Sequence, residues 1–469
     1  MTECKPQQLE FHGLGKRDVV GRFDGGDIST DAGGLLLREV ELRTRILKQF
    51  AACFTDYRDP EMVEHSVLDL VSQRCYALCL GYEDLNDHDQ LRSDPALAVM
   101  VGKADVKGEE RRKPADRGKA LAGKSTLNRL ELSTMAAAAE RYKKTVMNPE
   151  KVDGLMVDHF IGSHRRAPKQ IILDLDVTDD LIHGNQEGRF FHGYYGNYCY
   201  LPLYIFCGEF LLCARLRTAD GDAADGALDE LKRIVKQIRQ SWPKVHILVR
   251  ADSGFCRDEI LTWCEDHDID YVIGFAKNDR LIAMIDKEMA QAQQEFEKTD
   301  KPARIFTDVN YRTRDSWSRT RRIVAKAEHL EKGSNPRFIV TSLPKQEFEA
   351  APTYEVLYCG RGDMENRIKE QQLGLFADRT STATLRGNQI RLYFSAVAYM
   401  LMHALRRIAL AGTELAQAQC TTIRLKLLKI GAQIQLSVRR VWFRLSGGYP
   451  YTEVFNLALA NLRRCPVIN

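Results

Sequence analysis

Between Gln170 and Phe275 the apolar residues fall in short runs of fixed order, and that order restricts the fold more than any other feature of the chain. Ile171-Ile172-Leu173-Asp174-Leu175-Asp176 is aliphatic and β-branched and reads as a buried strand. Tyr198–Phe206 and Phe210–Leu216 read as two more strands. Only Cys207-Gly208-Glu209 stands between them, which is too short for a crossover and requires an antiparallel hairpin. Ala227–Gln240 follows as an amphipathic helix stopped by Trp242-Pro243. Val245–Arg250 is a strand, Arg257–His267 a helix and Tyr271–Phe275 a strand.

Three antiparallel strands followed by alternating helix and strand is the order of a ribonuclease-H-like α/β core. The rest of the 469 residues exceeds one hydrophobic core, so about two to four domains are expected. Residues 1–150 read as a mostly helical region, to which the resemblance given below adds DNA binding, with helices over Leu35–Ile46 and Ser66–Leu80, the second ended by Gly81. Lys103–Lys124 is polar and reads as a loop, and Ser125 suits the cap of the next helix. The core occupies 165–279 and resumes over 345–410, where Asp363–Gln372 and Asn388–Leu410 read as helices. Between them, 280–344 holds a Gln-rich helical piece and short strand runs at Ile305–Tyr311, Thr320–Ala327 and Arg337–Thr341, the pattern of a β-rich insertion domain. Residues 411–469 read as a basic helical C-terminal region.

Hydrophobic residues at 44% and charged residues at 28% suit a globular chain rather than a disordered one. The net charge of +4 does not mark a nucleic-acid binder, but its distribution is uneven. Eight Lys or Arg after Ala411 face only Glu414 and Glu453, and a second basic cluster contains Arg319, Arg321 and Arg322. Such clusters suit phosphate; solvated helix and strand faces would carry them equally well. Twelve cysteines with no Cys-x-x-Cys pair, and an opening without a charged-then-apolar leader, suit free thiols in a reducing cytoplasm. The apolar stretch Ser395–Gly412 contains His403, Arg406 and Arg407 and reads as a buried helix rather than a membrane span.

An acid inside an apolar strand is costly unless something satisfies it. Asp174 and Asp176 are two apart, so they project from one face. Asp252 follows the fourth strand, which neighbours the first in the expected sheet. Each acid alone reads equally as a turn or cap residue; together on that topology they suit a carboxylate pocket for hard divalent cations. A third acid would come from a helix after the fifth strand.

The chain resembles bacterial insertion-sequence transposases of the DDE type, in the insertion-sequence-4-like superfamily and closest to insertion-sequence family 1380. The resemblance is carried in order by Phe23-Asp24-Gly25-Gly26, Gln73-Arg74-Cys75-Tyr76-Ala77-Leu78, Gly81-Tyr82-Glu83-Asp84-Leu85-Asn86-Asp87, Ser125-Thr126-Leu127-Asn128-Arg129-Leu130-Glu131, Asp174-Leu175-Asp176-Val177-Thr178, Arg250-Ala251-Asp252-Ser253-Gly254-Phe255 and Met364-Glu365-Asn366-Arg367. It implies Asp176, followed by a small residue and Thr178, as the first catalytic and metal-holding acid, Asp252 as the second and Glu365 as the third. Tyr358, Arg361 and Glu365 match a Tyr-x-x-Arg-x-x-x-Glu pattern in which Tyr358 and Arg361 meet DNA. The pattern continues in relatives to a Lys; Gln372 stands there, and Lys369, one turn from Glu365, is the substitute. Trp317, with Arg319, Arg321 and Arg322, falls where similar transposases stack an aromatic on a flipped base, although a core Trp would fit the same pattern.

The resemblance further implies two Mg²⁺ ions per site, with Mn²⁺ substituting, and a homodimer on double-stranded DNA at the terminal inverted repeats and target of an insertion sequence. It also implies a bacterial, nucleoid-associated protein and cleavage through a DNA hairpin. Two rivals share these residues: a metal-dependent DNA nuclease on the same fold, and an inactive transposase-derived DNA-binding protein.

Overall fold

The computed structural model of the chain describes residues 8–136 and 139–467 and divides into two compact units. The unit Asn148–Ala396 is mixed α/β around a nine-stranded sheet. Its strands are β1 Gln170–Val177, β2 Leu203–Cys207, β3 Phe210–Arg215, β4 His246–Ala251, β5 Asp270–Phe275, β6 Ala303–Tyr311, β7 Arg321–Leu330 and β8 Arg337–Thr341, with the short Gly333–Ser334 paired to β7. The spatial order is β3-β2-β1-β4-β5-β8-β7-β6. β4 runs parallel to β1 and to β5, and every other pairing is antiparallel.

Period-two alternation sets the two faces of the sheet. Ile171, Leu173 and Leu175 of β1, with Ile247, Val249 and Ala251 of β4, lie in the larger apolar cluster. That cluster includes residues of α1 (Pro149–Gly162), α2 (Ala227–Ser241) and α3 (Asp258–Asp266). α2 contributes Leu231, Ile234, Val235 and Ile238 at helical spacing; each such burial stabilises by about 1.5–3 kcal/mol. The intervening residues Ile172 and Leu248 pack on the opposite face with Val272, Val324, Ile339 and Tyr354. Asp174, Asp176 and Arg250 therefore belong to that second face.

Two features of this unit depart from the sequence reading. The run Tyr198–Phe206 is not one strand: Asn197–Tyr200 joins a small sheet with Asp180–Leu181 and Phe190–His192, and β2 starts only at Leu203. Pro202 lies at the break, where it has no N–H to donate to a ladder. The strands of 280–344 do not form a sheet of their own. β8 pairs along β5, Val272 against Thr341 and Phe275 against Phe338, and β7 and β6 follow outward, so the expected insertion extends the central sheet. An uncovered β5 would leave an open ladder edge; the apolar Phe338-Ile339-Val340 closes it. The helix Asp286–Thr299 (α4) lies against β6 and β7.

In the unit Met1–Met147 with Val397–Asn469, the helix Val67–Leu80 is almost wholly buried. Ser66 and Asp69 form a reciprocal capping box at its start, and Gly81, at φ +97°, ends it. Gln73 exchanges two hydrogen bonds with the Ala122 backbone, and Arg74 forms a buried ion pair with Glu131 at 2.8 Å. Those sequence-motif residues are therefore structural. The helix expected from the Ser125 cap starts instead at Lys124, after Gly123. The tail is not all helical either: Ala432–Ser437 and Arg440–Leu445 form a hairpin, with Ile28–Ser29 paired to its first strand, before the helix Thr452–Arg463. Among the described residues, no helix is long and apolar enough to cross a membrane.

Candidate active site

The pairing of β1 with β4 places Arg250 directly beside Asp174. Arg250 grips that carboxylate with both Nε and Nη2, the latter at 2.8 Å, and its Nη1 donates to the Leu357 carbonyl at 2.7 Å. Burial raises the Asp174 carboxyl above its usual range while Arg250 opposes the rise. Asp174 is thus satisfied within the protein. Gly360 is needed here, because a Cβ would come within 2.7 Å of Arg250 Nη1.

Two residues further along β1, Asp176 opens on a cavity of about 550 Å³. Asp252, Arg361, Glu365, Lys369 and Gln372 line the same cavity. Asp252 follows β4, and its Oδ1 accepts the Gly254 N–H at 2.8 Å, fixing the turn that leads into α3. Glu365 lies in the first turn of Gly362–Leu375 (α5). The two glycines flanking Arg361 do not break the run: helical backbone continues from Ala350 through changing pitch to Leu375. Arg361 and Glu365 consequently share a face. Arg361 Nη1 donates to Asp176 Oδ2 at 2.9 Å and Nη2 to Glu365 Oε1 at 3.2 Å, so one guanidinium spans two carboxylates.

Burial pushes the Asp176 carboxyl up to about 6; Arg361 opposes this, and the negative charges of Asp252 and Glu365 add to it. Three carboxylates, Asp176, Asp252 and Glu365, and two cations, Arg361 and Lys369, line this cavity. Its three carboxylates offer only oxygen donors, which suits a hard divalent cation. In the arrangement seen, no group of three or more ligating side chains among the described residues is drawn together around one ion position. The fit is one of donor chemistry and shared cavity, with Arg361 as the present counter-charge.

Three supporting features escaped sequence reasoning. A Cβ at Gly274 on β5 would meet Tyr358 Oη at 2.7 Å and Ser253 N at 2.8 Å. Its bare backbone lets Tyr358 and the Asp252 turn approach together. Gln372, read from the sequence only as a departure from Lys, donates to Asp180 Oδ1 at 2.9 Å and to Thr178 Oγ1 and the Asp179 carbonyl at 3.3 Å. It ties α5 to the segment that follows Asp176. Asp180 is fully enclosed, and burial pushes its carboxyl up to about 8 despite the Gln372 hydrogen bond.

Asp180 supplies a pH prediction. Between the ordinary value of 3.8 and about 8, the folded chain binds a proton there that the unfolded chain lacks. This group's contribution therefore weakens as pH rises through that window. Asp180→Asn keeps the shape and cannot ionise. Denaturant unfolding across the window is expected to give a flatter decline for Asp180→Asn than for the parent, and parallel curves would refute the assignment.

The remaining DNA-contact candidates lie elsewhere in the unit. Trp317 is buried in the larger cluster, its ring 4.8 Å from Phe275 and 6.0 Å from Tyr311. Arg321, with its side chain buried, pairs with Asp258 and Glu265; Arg322 pairs with Asp308 and the Leu343 and Phe348 carbonyls. Arg319 is half-exposed and faces Glu265 and Asp266. The aromatic expected to stack on a base is thus a core residue: the connection between β6 and β7 folds it inward, held by the Trp317 N–H donating to Thr313 Oγ1 and Arg312 Nε donating to the Trp317 carbonyl. Trp317→Phe is expected to cost about 1–2 kcal/mol through lost volume, read as a lower unfolding midpoint with duplex affinity unchanged; lost affinity at unchanged stability would reverse that reading.

The family profile described as "Transposase DDE domain group 1" matches residues 11–467. Among solved structures, the chain is similar to one described as "Cryo-EM structure of piggyBac transposase synaptic complex with hairpin DNA (SNHP)". Identity there is 10%, covering 93% of this chain and 82% of that one, with a TM-score of 0.42. A likeness of that size supports no statement about function. No curated protein matches the chain.

Proposed function

Because the chain belongs to the Transposase DDE domain group 1 family, we propose that it cuts and joins DNA at the cavity beside β1 and β4. DDE transposases in general use divalent metal ions. In this reading Asp176, Asp252 and Glu365 would hold them, Mg²⁺ or Mn²⁺ as a pair, on a ribonuclease-H-like core. A pair held there would supply activation of the attacking oxygen and stabilisation of the leaving oxygen.

The observation that carries the reading is that three acids from separate segments line one cavity beside Arg361 and Lys369. The chain's own groups have distinct parts. The Gly254 N–H fixes one oxygen of Asp252, while Oδ2 has no protein donor among the described residues. Arg361 keeps Asp176 and Glu365 turned to the same side. The Lys369 ammonium lines the cavity as a point charge for a phosphate. Tyr358, half-buried against β5, backs Arg361 beside the cavity and would meet DNA with it. The finer identity follows the sequence motifs: a bacterial insertion-sequence transposase, insertion-sequence-4-like and close to family 1380, acting as a dimer on terminal inverted repeats.

A plasmid carrying the DNA that flanks the chain's own coding sequence, incubated with protein, Mg²⁺ and a second plasmid, tests this. Covalent joining of donor ends to the second plasmid is the expected result. Cut ends without joining would make the chain a nuclease, and binding without cutting would make it an inactive derivative.

A further inference from the structure

The hairpin Ala432–Ser437/Arg440–Leu445 has no part in the site described above, and its two faces differ sharply. Gln433 stands opposite Arg444, Gln435 opposite Trp442 and Ser437 opposite Arg440. Alternation puts these six side chains on one face. Five of the six are exposed and Gln433 is half-buried. The other face carries Ala432, Ile434, Leu436, Val441, Phe443 and Leu445, with Ala432 and Ile434 fully in the core. An ordinary half-buried hairpin would fill its outer face with mixed charges. This one carries amides, guanidiniums and an indole half-exposed to solvent.

Within the hairpin itself the charge is of one sign. No acidic residue occurs between Glu414 and Glu453. Arg440 lies 5.5 Å over the Trp442 ring, and Arg444 Nε donates to Gln435 Oε1 at 3.0 Å, so the groups are pre-arranged without being neutralised. Gln433 Nε2 donates to the Gly25 carbonyl at 3.1 Å, leaving its oxygen to accept. At the tip, Asp105, Glu109 and Glu110 share a cavity with Ser437, Arg439 and Arg440, so acids approach that end of the face, while Gln435, Trp442 and Arg444 lie outside the cavity.

We propose that this face is a duplex-DNA contact, a two-stranded ribbon lying in the major groove. The groove admits such a ribbon. Arginine suits guanine edges and phosphates, glutamine suits adenine, and an exposed indole packs on sugar or base edges. The outer edge of Arg440–Leu445 is unpaired, so a second copy could in principle add there. In a symmetric antiparallel pairing centred on Trp442, however, Arg440 would face Arg444 of the other chain, a like-charge juxtaposition. The charge pattern fits a polyanion. The inference rests on the chain's being a DNA-acting protein and adds the surface that grips the duplex.

Fluorescence anisotropy of the full chain with a labelled mixed-sequence duplex, over a range of salt, decides it. The combined variant Arg440→Ser/Trp442→Ala/Arg444→Ser is expected to bind about tenfold or more weakly and to lose about 2 from the slope of log K against log salt. Arg440→Lys/Arg444→Lys should keep that slope, and serves as the deciding comparison should the triple variant unfold early. Parental affinity and slope in the triple variant would overturn the proposal. A DNA-free dimer of the parent that the triple variant loses would assign the ribbon to a second copy instead. A parent that joins donor DNA to target while the triple variant binds equally well would sink only this surface; a parent that neither binds nor joins DNA would sink the proposed function itself.

Discussion

Asp252→Asn is expected to lower DNA cleavage and joining by on the order of a thousandfold or more, with duplex affinity unchanged or tighter. The side chain has two duties that this substitution separates. As a cap it accepts the Gly254 N–H, and an asparagine carbonyl can do the same. As an acid it contributes negative charge to the cavity, reflected in the raised Asp176 carboxyl, and asparagine removes that. The fold should therefore survive while the cation affinity falls. Cleavage of labelled end-bearing duplex, with binding measured on the same preparation, checks both halves. Activity within tenfold of the parent at intact binding would remove Asp252 from the catalytic set.

Asp174→Ala is expected to act in the opposite way, on stability first. Arg250 would be left enclosed without its carboxylate, and breaking one partner of a buried pair typically costs about 3–5 kcal/mol. Replacing both members with apolar residues of similar size, Asp174→Leu with Arg250→Met, should recover much of that loss, because no uncompensated charge remains. Urea unfolding of the single and double variants is the measurement. A single variant as stable as the parent but unable to cut DNA would make Asp174, not Arg250's partner alone, part of the chemistry.

These two neighbours show where sequence reasoning works and where it stops. Periodicity and connection length located β1, the β2–β3 hairpin and β4. The adjacency of β1 and β4 followed from their order, so Asp176 and Asp252 could be brought together on paper. Choosing between Asp174 and Asp176 could not be done that way, because both lie on one face. The resemblance chose Asp176 through Thr178; the physical ground for passing over Asp174 is the register that sets Arg250 beside it, and register between distant strands has no local signature. The same limit hid the pairing of β8 with β5, and the loop that carries Trp317 gave no periodicity from which its inward turn could be read. Local signals did predict the Gly81 stop and the helix before it, but missed the Ser66 capping box and misplaced a cap at Ser125. The tail hairpin was legible in principle, since Ala432–Ser437 alternates with period two, but its basic charge and the helices around it masked the change of period. Gly274 and Gly360 carry no signal at all until the atoms facing them are known.

The extended sheet has a consequence for when the protein can act. Two of the cavity's acids, on β1 and after β4, are complete once the chain has reached residue 252, but the third arrives only after β6, β7 and β8 have been added to the edge of β5. A ribosome-bound or prematurely ended chain that stops short of α5 would carry two acids and neither Glu365 nor Arg361. In the proposed reading such fragments cannot cut chromosomal DNA. On that reading the outer strands would act as a delay built into synthesis, with cutting reserved to chains translated past α5.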